Sequence, residues 1–376
     1  MPSGVLGDGW AEKSFNNRVC TNLPRLRKCR NHRLENDICF EPLWSDFATR
    51  LQGGILVVGH GTRNASGASE LLELVQSMKA RLPDCLPIEA SFLELANPTI
   101  DEAVEKLNSK NCQNLLVIPI LLFTAAHARE DIPDAVIEAL KSRGMKTLAQ
   151  STSLGTDESA LKLSEERFLS SFRCQNAAGC LKAGACDVAD SCIANPGTLE
   201  QLSSSYLEIP SQVRIGLAMV GRGTSDDEAR GHMIRLSKMR VDSSPVNIHW
   251  SQTGFFAGGT PNVSQLLEAA EESDCDWIVV QPHLLFEGHL SVQLRSMVDK
   301  LRKAGSKKRW LVAPTLGADP KLADTFLELG RKAMLSATKS SSIDNRPIVF
   351  FRSVNERHFR GVKGDTDCPI DPKTDS

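Results

Sequence analysis

The stretch GILVVGHGTRNASG, residues 54–67, decides the fold of this chain. It opens with a continuous apolar run rich in Ile, Leu and Val, which is typical of a strand buried on both faces of a parallel sheet. His60 follows between two glycines, and a helical pattern begins directly after the turn. Strand, short turn and amphipathic helix in this order predict one unit of an open α/β sheet.

The same alternation continues to residue 172. Further strands are predicted over LPIEASFLE (86–94), NLLVIPI (114–120) and KTLAQST (146–152). Helices are predicted over SELLELVQSMKARL (69–82), PTIDEAVEKLNSK (98–110), IPDAVIEALKSRG (132–144) and DESALKLSEERFLSSF (157–172). Pro98 suits the first turn of the second helix, and Asp131 is expected to cap the third.

This unit then recurs in degraded form. RIGLAMVGRGTSDDEA matches ILVVGHGTRNASGA, and WIVVQPHLLFEGHLSVQLR matches LLVIPILLFTAAHAREDIP. Arg222 stands 162 residues after His60, and His289 stands 162 residues after His127. A steady offset of this kind predicts a tandem duplication.

Five segments follow from these patterns. We expect a poorly ordered N-terminal extension over residues 1–52, with helical character near LWSDFATRLQ, and a first, active domain over 53–172. A cysteine-rich insert at 173–210 precedes a second, degenerate domain at 211–338 and a disordered tail at 339–376.

Composition excludes several classes of protein. The chain has 41% hydrophobic and 24% charged residues, as ordinary globular proteins do, and no apolar run approaches the ~20 residues that span a bilayer. A net charge of −2 gives no indication of a nucleic-acid or membrane partner. We expect a cytoplasmic location, although the Arg-rich residues 18–33 leave a transit peptide open. The eleven cysteines are then thiols or metal ligands rather than disulfides.

Three polar residues follow the predicted strands at even intervals. His60, Glu94 and His127 come at or near the ends of three apolar runs, where ligand sites of open α/β sheets gather. Imidazole and carboxylate groups together suit a first-row transition metal, so one shared metal site is predicted. In the second half, Arg222 replaces His60 and Phe256 or Ala257 replaces Glu94, whereas His289 keeps its counterpart. One half is therefore expected to carry the chemistry.

The segments GHGTR (59–63), FLELANP (92–98) and PILLFTAAHAREDIP (119–133) resemble the class II chelatases, specifically the sirohydrochlorin cobaltochelatases and ferrochelatases of cobalamin and sirohaem biosynthesis. The resemblance covers residues 54–150 strongly and 213–335 more faintly. It implies an α/β fold of two tandem flavodoxin-like (chelatase-like) parallel-sheet domains with a tetrapyrrole in the cleft between them. It also implies that His60 and His127 are catalytic and handle the metal, with Glu94 as a further metal-site carboxylate.

Metal insertion suits these groups, because neutral imidazoles bind divalent metals and accept protons near pH 7. Either Co²⁺ or Fe²⁺ fits the ligand types as the metal substrate. Substrate carboxylates would meet basic groups and helix-start amides, and the adjacent candidates are Thr62, Arg63, Ser66 and Arg129.

The insert carries a separate prediction. Cys174, Cys180, Cys186 and Cys192 are spaced six apart, a step of about 600° on a helix, so a loop around a common centre is the better arrangement. Four thiolates can hold an iron–sulfur cluster or zinc, and the lack of CxxC pairs favours iron–sulfur. Reduced thiols without a ligand are the alternative.

Two other functions stay open at this point. The chain could be a nickel or other tetrapyrrole chelatase, because no residue fixes the metal. It could also be a non-catalytic carrier of metal or tetrapyrrole that uses the cysteine insert for storage or redox sensing. The turn GHGTRNASG matches neither GxxxxGK[ST] nor GxGxxG, so a nucleotide site is not favoured.

Overall fold

The computed structural model describes residues 41–123, 126–173 and 212–340, with side chains left out at 41–42, 126–129, 173 and 338–340. The cysteine-rich insert, the tail after residue 340 and the first forty residues lie outside the described part of the chain. None of the described helices is both long enough and apolar enough to cross a membrane.

The first half is a four-stranded parallel sheet in the order β2-β1-β3-β4. Its elements, in chain order, are α1 (Glu41–Arg50), β1 (Gly53–Gly59), α2 (Ala65–Lys79), β2 (Ile88–Phe92), α3 (Ile100–Ser109), β3 (Asn114–Ile120), α4 (Ala126–Lys141), β4 (Lys146–Gln150) and α5 (Glu158–Arg173). β1 lies in the centre and all seven of its residues are buried, as its unbroken apolar run predicts.

The second half repeats this arrangement with the strand order β6-β5-β7-β8, also parallel. Its elements are β5 (Ile215–Gly221), α6 (Asp227–Asp242), β6 (Ile248–Phe255), α7 (Val263–Glu272), β7 (Trp277–His283), α8 (His289–Lys303), β8 (Arg309–Val312) and α9 (Pro320–Ser340). The predicted tandem α/β fold is confirmed.

The final helix of each half packs on the other half. Phe326 and Leu322 of α9 belong to the core built on Ile118 of the first sheet. Phe168 and Phe172 of α5 belong to the core around Leu217 and Met219 of the second sheet, again by burial of apolar side chains. The predicted domains 53–172 and 211–338 are therefore contiguous in sequence but exchange a helix in space.

Two local predictions are corrected. α4 begins at Ala126, so Asp131 lies inside the helix rather than at its N-cap, because buried Ile132 and Val136 hold this segment on the sheet despite Pro133. Pro98 precedes α3 instead of occupying its first turn.

The N-terminus of α3 is instead capped by Thr99, whose side chain and that of Glu102 form a capping box. The helical character expected near LWSDFATRLQ is confirmed, because residues 41–50 form the helix α1. This helix belongs to the first core because Trp44 and Phe47 are buried there.

A carboxyl group joins the two halves beside the strand ends. The backbone N–H of Glu287, in the loop after β7, donates to Oε2 of Glu70 on α2 at 3.1 Å. Burial raises the pKa of Glu70 to about 7, although the hydrogen bond from the Glu287 amide acts in the opposite direction. Glu287 itself is held by Arg295 at 2.8 Å and by the Ser291 hydroxyl at 2.7 Å.

Glu70→Gln should stabilise the fold more at high pH than at low pH. Between the ordinary carboxyl pKa and about 7 the folded state binds the extra proton, so wild-type stability falls as the pH rises through this window. Glutamine can still accept from the Glu287 amide and has no proton to lose. We expect a gain on the order of 1 kcal/mol at pH 8 over pH 4.5, after solvent screening, in urea unfolding at the two pH values.

The control is Glu268→Gln, an exposed carboxylate on α7 that is not among the groups acting on the pKa of Glu70. A Glu70→Gln gain that is equal at pH 4.5 and pH 8 would contradict the assignment.

Candidate functional site

The turn after β1 is locked against the turn after β2. Because β1 lies between β2 and β3, the residues that follow these strands share one edge of the sheet. The amide of Leu93 donates to the carbonyl of Gly59 at 2.9 Å, and that of Glu94 to the carbonyl of His60 at 3.1 Å. Gly61 has a φ of +103°, and a Cβ there would lie 1.7 Å from the Glu94 carbonyl oxygen. Only glycine fits, and its close approach fixes His60 beside Glu94.

The side chains of this pair lie where the two halves of the chain meet. Nε2 of His60 lies 3.4 Å from Oε1 of Glu94, and the two side chains are 38% and 53% exposed. From the second half, Nη2 of Arg222 lies 3.5 Å from the same Nε2. One imidazole nitrogen thus faces a carboxylate of its own half and a guanidinium of the other, at a position that solvent reaches.

Burial lowers the pKa of His60, and the nearby Arg222 charge lowers it further. The carboxylates of Glu94 and Asp131 offset this in part. His60 is therefore neutral at pH 7 and can offer an unprotonated ring nitrogen to a cation or a proton.

The second half keeps the backbone geometry of this site but has neither a histidine nor a carboxylate at the corresponding positions. Gly223 has a φ of +84° and approaches the Ala257 carbonyl as Gly61 approaches that of Glu94, so Ala257 is the counterpart of Glu94. His289 is the exposed first residue of α8. His283, at the end of β7, is buried with no hydrogen-bond partner in the described part of the chain, and burial lowers its pKa to about 4. It is a neutral core residue.

The turn that follows His60 is occupied by local hydrogen bonds. The Thr62 hydroxyl accepts from the Asn64 amide at 3.1 Å. Asn64 caps α2, accepting from the amides of Ser66 and Gly67, so two helix-start donors already have partners. Arg63 is exposed beside them. Of the predicted carboxylate-binding groups in this turn, the Arg63 guanidinium is exposed, whereas the Thr62 hydroxyl and the Ser66 backbone N–H take part in the hydrogen bonds of the turn.

The other predicted residues are less fully placed. His127 and Arg129 lie in the first turns of α4, where the structure describes the backbone but not these side chains. Cys174, Cys180, Cys186 and Cys192 lie outside the described residues. Among the side chains that are described, no three from His, Cys, Asp and Glu converge on a metal position.

Two neighbours of the site were not predicted. Asp131 acts electrostatically on His60. It lies four residues after His127 on α4, which is about one helical turn further along the same side of the helix. The sequence around Asp131 resembles a helix N-cap, which does not indicate this position. Leu95 follows Glu94 with a φ of +62° and is 51% exposed. An exposed apolar side chain on a left-handed backbone is unusual, and the corresponding Gly258 (φ +59°) shows which residue the turn prefers.

Comparison with known proteins agrees with this architecture. The CbiX family model matches residues 54–171 and 216–333, which together exceed half of the chain. The chain belongs to the CbiX family. Its two matched segments coincide with the two sheets and the loops that carry the candidate site.

Individual relatives are more distant. The sirohydrochlorin cobaltochelatase of Priestia megaterium is 23% identical over 285 residues, covering 76% of this chain and 81% of the relative. The sirohydrochlorin ferrochelatase of Bacillus subtilis is 24% identical over 295 residues, covering 78% and 97%. The structure of SirB from Bacillus subtilis with Fe³⁺ matches with a TM-score of 0.58 at 23% identity, over 77% of this chain and 97% of that one. SirB in complex with cobalt matches with a TM-score of 0.54. These structures establish the shared fold.

Gly61→Ala and Gly223→Ala should each lower the free energy of unfolding by about 2–3 kcal/mol. Each added Cβ would overlap a backbone carbonyl oxygen, at 1.7 Å and 1.8 Å respectively, on a left-handed backbone. Gly144→Ala is the matched control, because Gly144 has a φ of +66° but open space around it; it should lose only about 1 kcal/mol. Denaturant unfolding of the three variants measures this, and equal losses for all three would show that the turns do not press together.

Proposed function

We propose that this protein is a sirohydrochlorin chelatase, which inserts a divalent metal, Co²⁺ or Fe²⁺, into the tetrapyrrole in the cleft between its halves. The observation that carries this proposal is the pairing of His60 with Glu94 at the cleft edge, in a chain of the CbiX family. The relatives named as cobaltochelatase and ferrochelatase match over most of their length, so the whole two-half unit is shared with them.

The spacing of the pair suits one cation. Two ligands that each lie about 2.1 Å from a metal are about 3.0 Å apart at an octahedral angle and about 3.4 Å apart at a tetrahedral one. The 3.4 Å between Nε2 of His60 and Oε1 of Glu94 falls at the upper end of this range. A neutral imidazole and a carboxylate hold such an ion more weakly than thiolates do, which suits a metal that must be passed on to a product.

Insertion also requires two pyrrole N–H protons to leave the ring. His60 can accept a proton because it is neutral at pH 7, and His127, in our proposal, supplies the second imidazole of the site. Glu94 compensates the charge of the bound metal or relays a proton. Asp131, one helical turn after His127, adds negative charge to this side of the cleft.

The macrocycle needs an apolar surface as well as charges. Leu95 offers an exposed apolar side chain directly beside Glu94, where a ring face would lie if its metal met this carboxylate. Arg63 and Arg129 are the proposed partners of peripheral carboxylates. Thr62 and Ser66 are weaker candidates, because the Thr62 hydroxyl and the Ser66 backbone N–H already form hydrogen bonds in the turn before α2.

His60→Ala and His127→Ala should each reduce the rate of metal insertion at least ~100-fold, and Glu94→Gln at least ~10-fold, because each removes a ligand or a proton acceptor. The assay follows the absorbance change of sirohydrochlorin with Co²⁺, Fe²⁺ or Ni²⁺ in competition. More than one turnover per chain distinguishes a catalyst from a carrier of metal or tetrapyrrole.

His249→Ala is the control, since this exposed histidine lies near the beginning of β6, at the edge of the sheet opposite the cleft. It should keep wild-type activity. Near-normal turnover in both the His60 and the His127 variants would refute the proposed roles.

The cysteine insert carries a separate proposal, made from sequence alone: Cys174, Cys180, Cys186 and Cys192 hold an iron–sulfur cluster, or else zinc. Protein purified without oxygen should then contain iron with acid-labile sulfide and absorb in the visible range, or contain zinc. Replacing all four cysteines by serine should remove that metal. A colourless wild-type protein that contains neither metal would end this proposal, without bearing on His60 and Glu94.

A further inference from the structure

We infer that Arg222 is a positioning residue which keeps divalent cations away from the His60–Glu94 pair until an anionic tetrapyrrole binds. This inference rests on the proposed function and adds an order of binding to it, tetrapyrrole before metal. It assigns a role to the half of the chain that has lost its own ligands.

Arg222 occupies the position in the second half that His60 occupies in the first. Both residues directly follow the central strand of their sheet, and both precede a left-handed glycine that meets the neighbouring turn. The two side chains meet between the halves, with Nη2 of Arg222 3.5 Å from Nε2 of His60. The duplication has thus placed a guanidinium opposite the nitrogen that the proposed chemistry needs.

The guanidinium is a fixed positive charge and has only N–H donors. A metal about 2.1 Å from Nε2 would lie at most about 5.6 Å from Nη2, by adding the two distances along one line. At the dielectric constant of water and at low ionic strength, repulsion between a divalent ion and a single charge at this distance weakens metal binding about tenfold. With Arg222 in place, the pair therefore binds free metal poorly.

A tetrapyrrole with peripheral carboxylates changes this balance. Arginine pairs with carboxylates through two parallel hydrogen bonds, and Arg222 is exposed and able to turn toward such a partner. Pairing neutralises its charge and moves the guanidinium away from Nε2. Glu94 and Asp131, the carboxylates that act on His60, then leave a net negative environment for the incoming cation.

The test measures two affinities of the full chain separately. Co²⁺ is titrated by calorimetry in the absence of tetrapyrrole, and metal-free sirohydrochlorin is titrated by its absorbance in the absence of metal. Arg222→Gln should bind Co²⁺ about tenfold more tightly and sirohydrochlorin at least about fivefold more weakly than wild type. Arg222→Lys, which keeps the charge, should stay close to wild type for Co²⁺. A purely structural defect would lower the affinity for both ligands. Opposite changes in the two affinities therefore distinguish the proposed role from such a defect.

Two controls isolate the site. In His60→Ala, the additional Arg222→Gln change should have no effect on Co²⁺ affinity, which separates this site from metal bound elsewhere in the chain. Arg50→Gln removes an exposed arginine that pairs with Asp46 on α1, and it should alter neither affinity.

Unchanged Co²⁺ affinity in Arg222→Gln would overturn the inference, as would unchanged sirohydrochlorin affinity. If His60→Ala still abolishes insertion in that case, the proposed function stands and only the ordering fails. If His60→Ala retains full insertion activity, the proposed function fails first.

Discussion

The carbonyl of Glu94 passes so close to Gly61 that no side chain can stand between them, and the same contact sets where His60 points its ring. Two backbone hydrogen bonds from the β2 turn to the β1 turn hold this approach. The imidazole and the carboxylate lie in short turns directly after neighbouring strands. The parallel sheet therefore brings them to the same edge without a longer loop. The geometry of the site is therefore a consequence of strand order, and the side chains supply only its chemistry.

The duplicated half shows this separation directly. Gly223 and Ala257 repeat the close approach of Gly61 and Glu94, although neither a histidine nor a carboxylate remains there. The exchange of α5 and α9 makes the two halves depend on each other, since each core is completed by a helix from the other half. Losing the second half would open the core around Ile118. The turns of the second half carry other side chains, and Nη2 of Arg222 lies 3.5 Å from Nε2 of His60.

Much of this could be predicted from local sequence. Unbroken apolar runs mark strands buried on both faces, and a glycine on each side of His60 marks a turn that must pass close to another. The position of α4 could not be predicted, because Asp131 and Pro133 together resemble a helix start, whereas contacts of Ile132 and Val136 with the sheet decide the matter. The helix exchange and the contact of Arg222 with His60 depend on how the two halves pack together. The hydrophobic periodicity within one half predicts helices and strands but not this packing.

The proposed function accounts for the different residues in the two halves, because any site that delivers a metal must both bind the metal and release it. Ligands strong enough to strip water from a cation also tend to retain it, and a site that fills before its partner arrives delivers nothing. In the proposed mechanism, a half-exposed pair of one imidazole and one carboxylate binds metal weakly, and the arginine at 3.5 Å weakens this binding further. Two identical halves would place the same groups on both sides of the proposed site. Such a site could not have one side that binds the metal and another that binds the carboxylates of the ring. Once the halves diverged, one side could carry the ligands and the other a charge that only an anionic substrate neutralises.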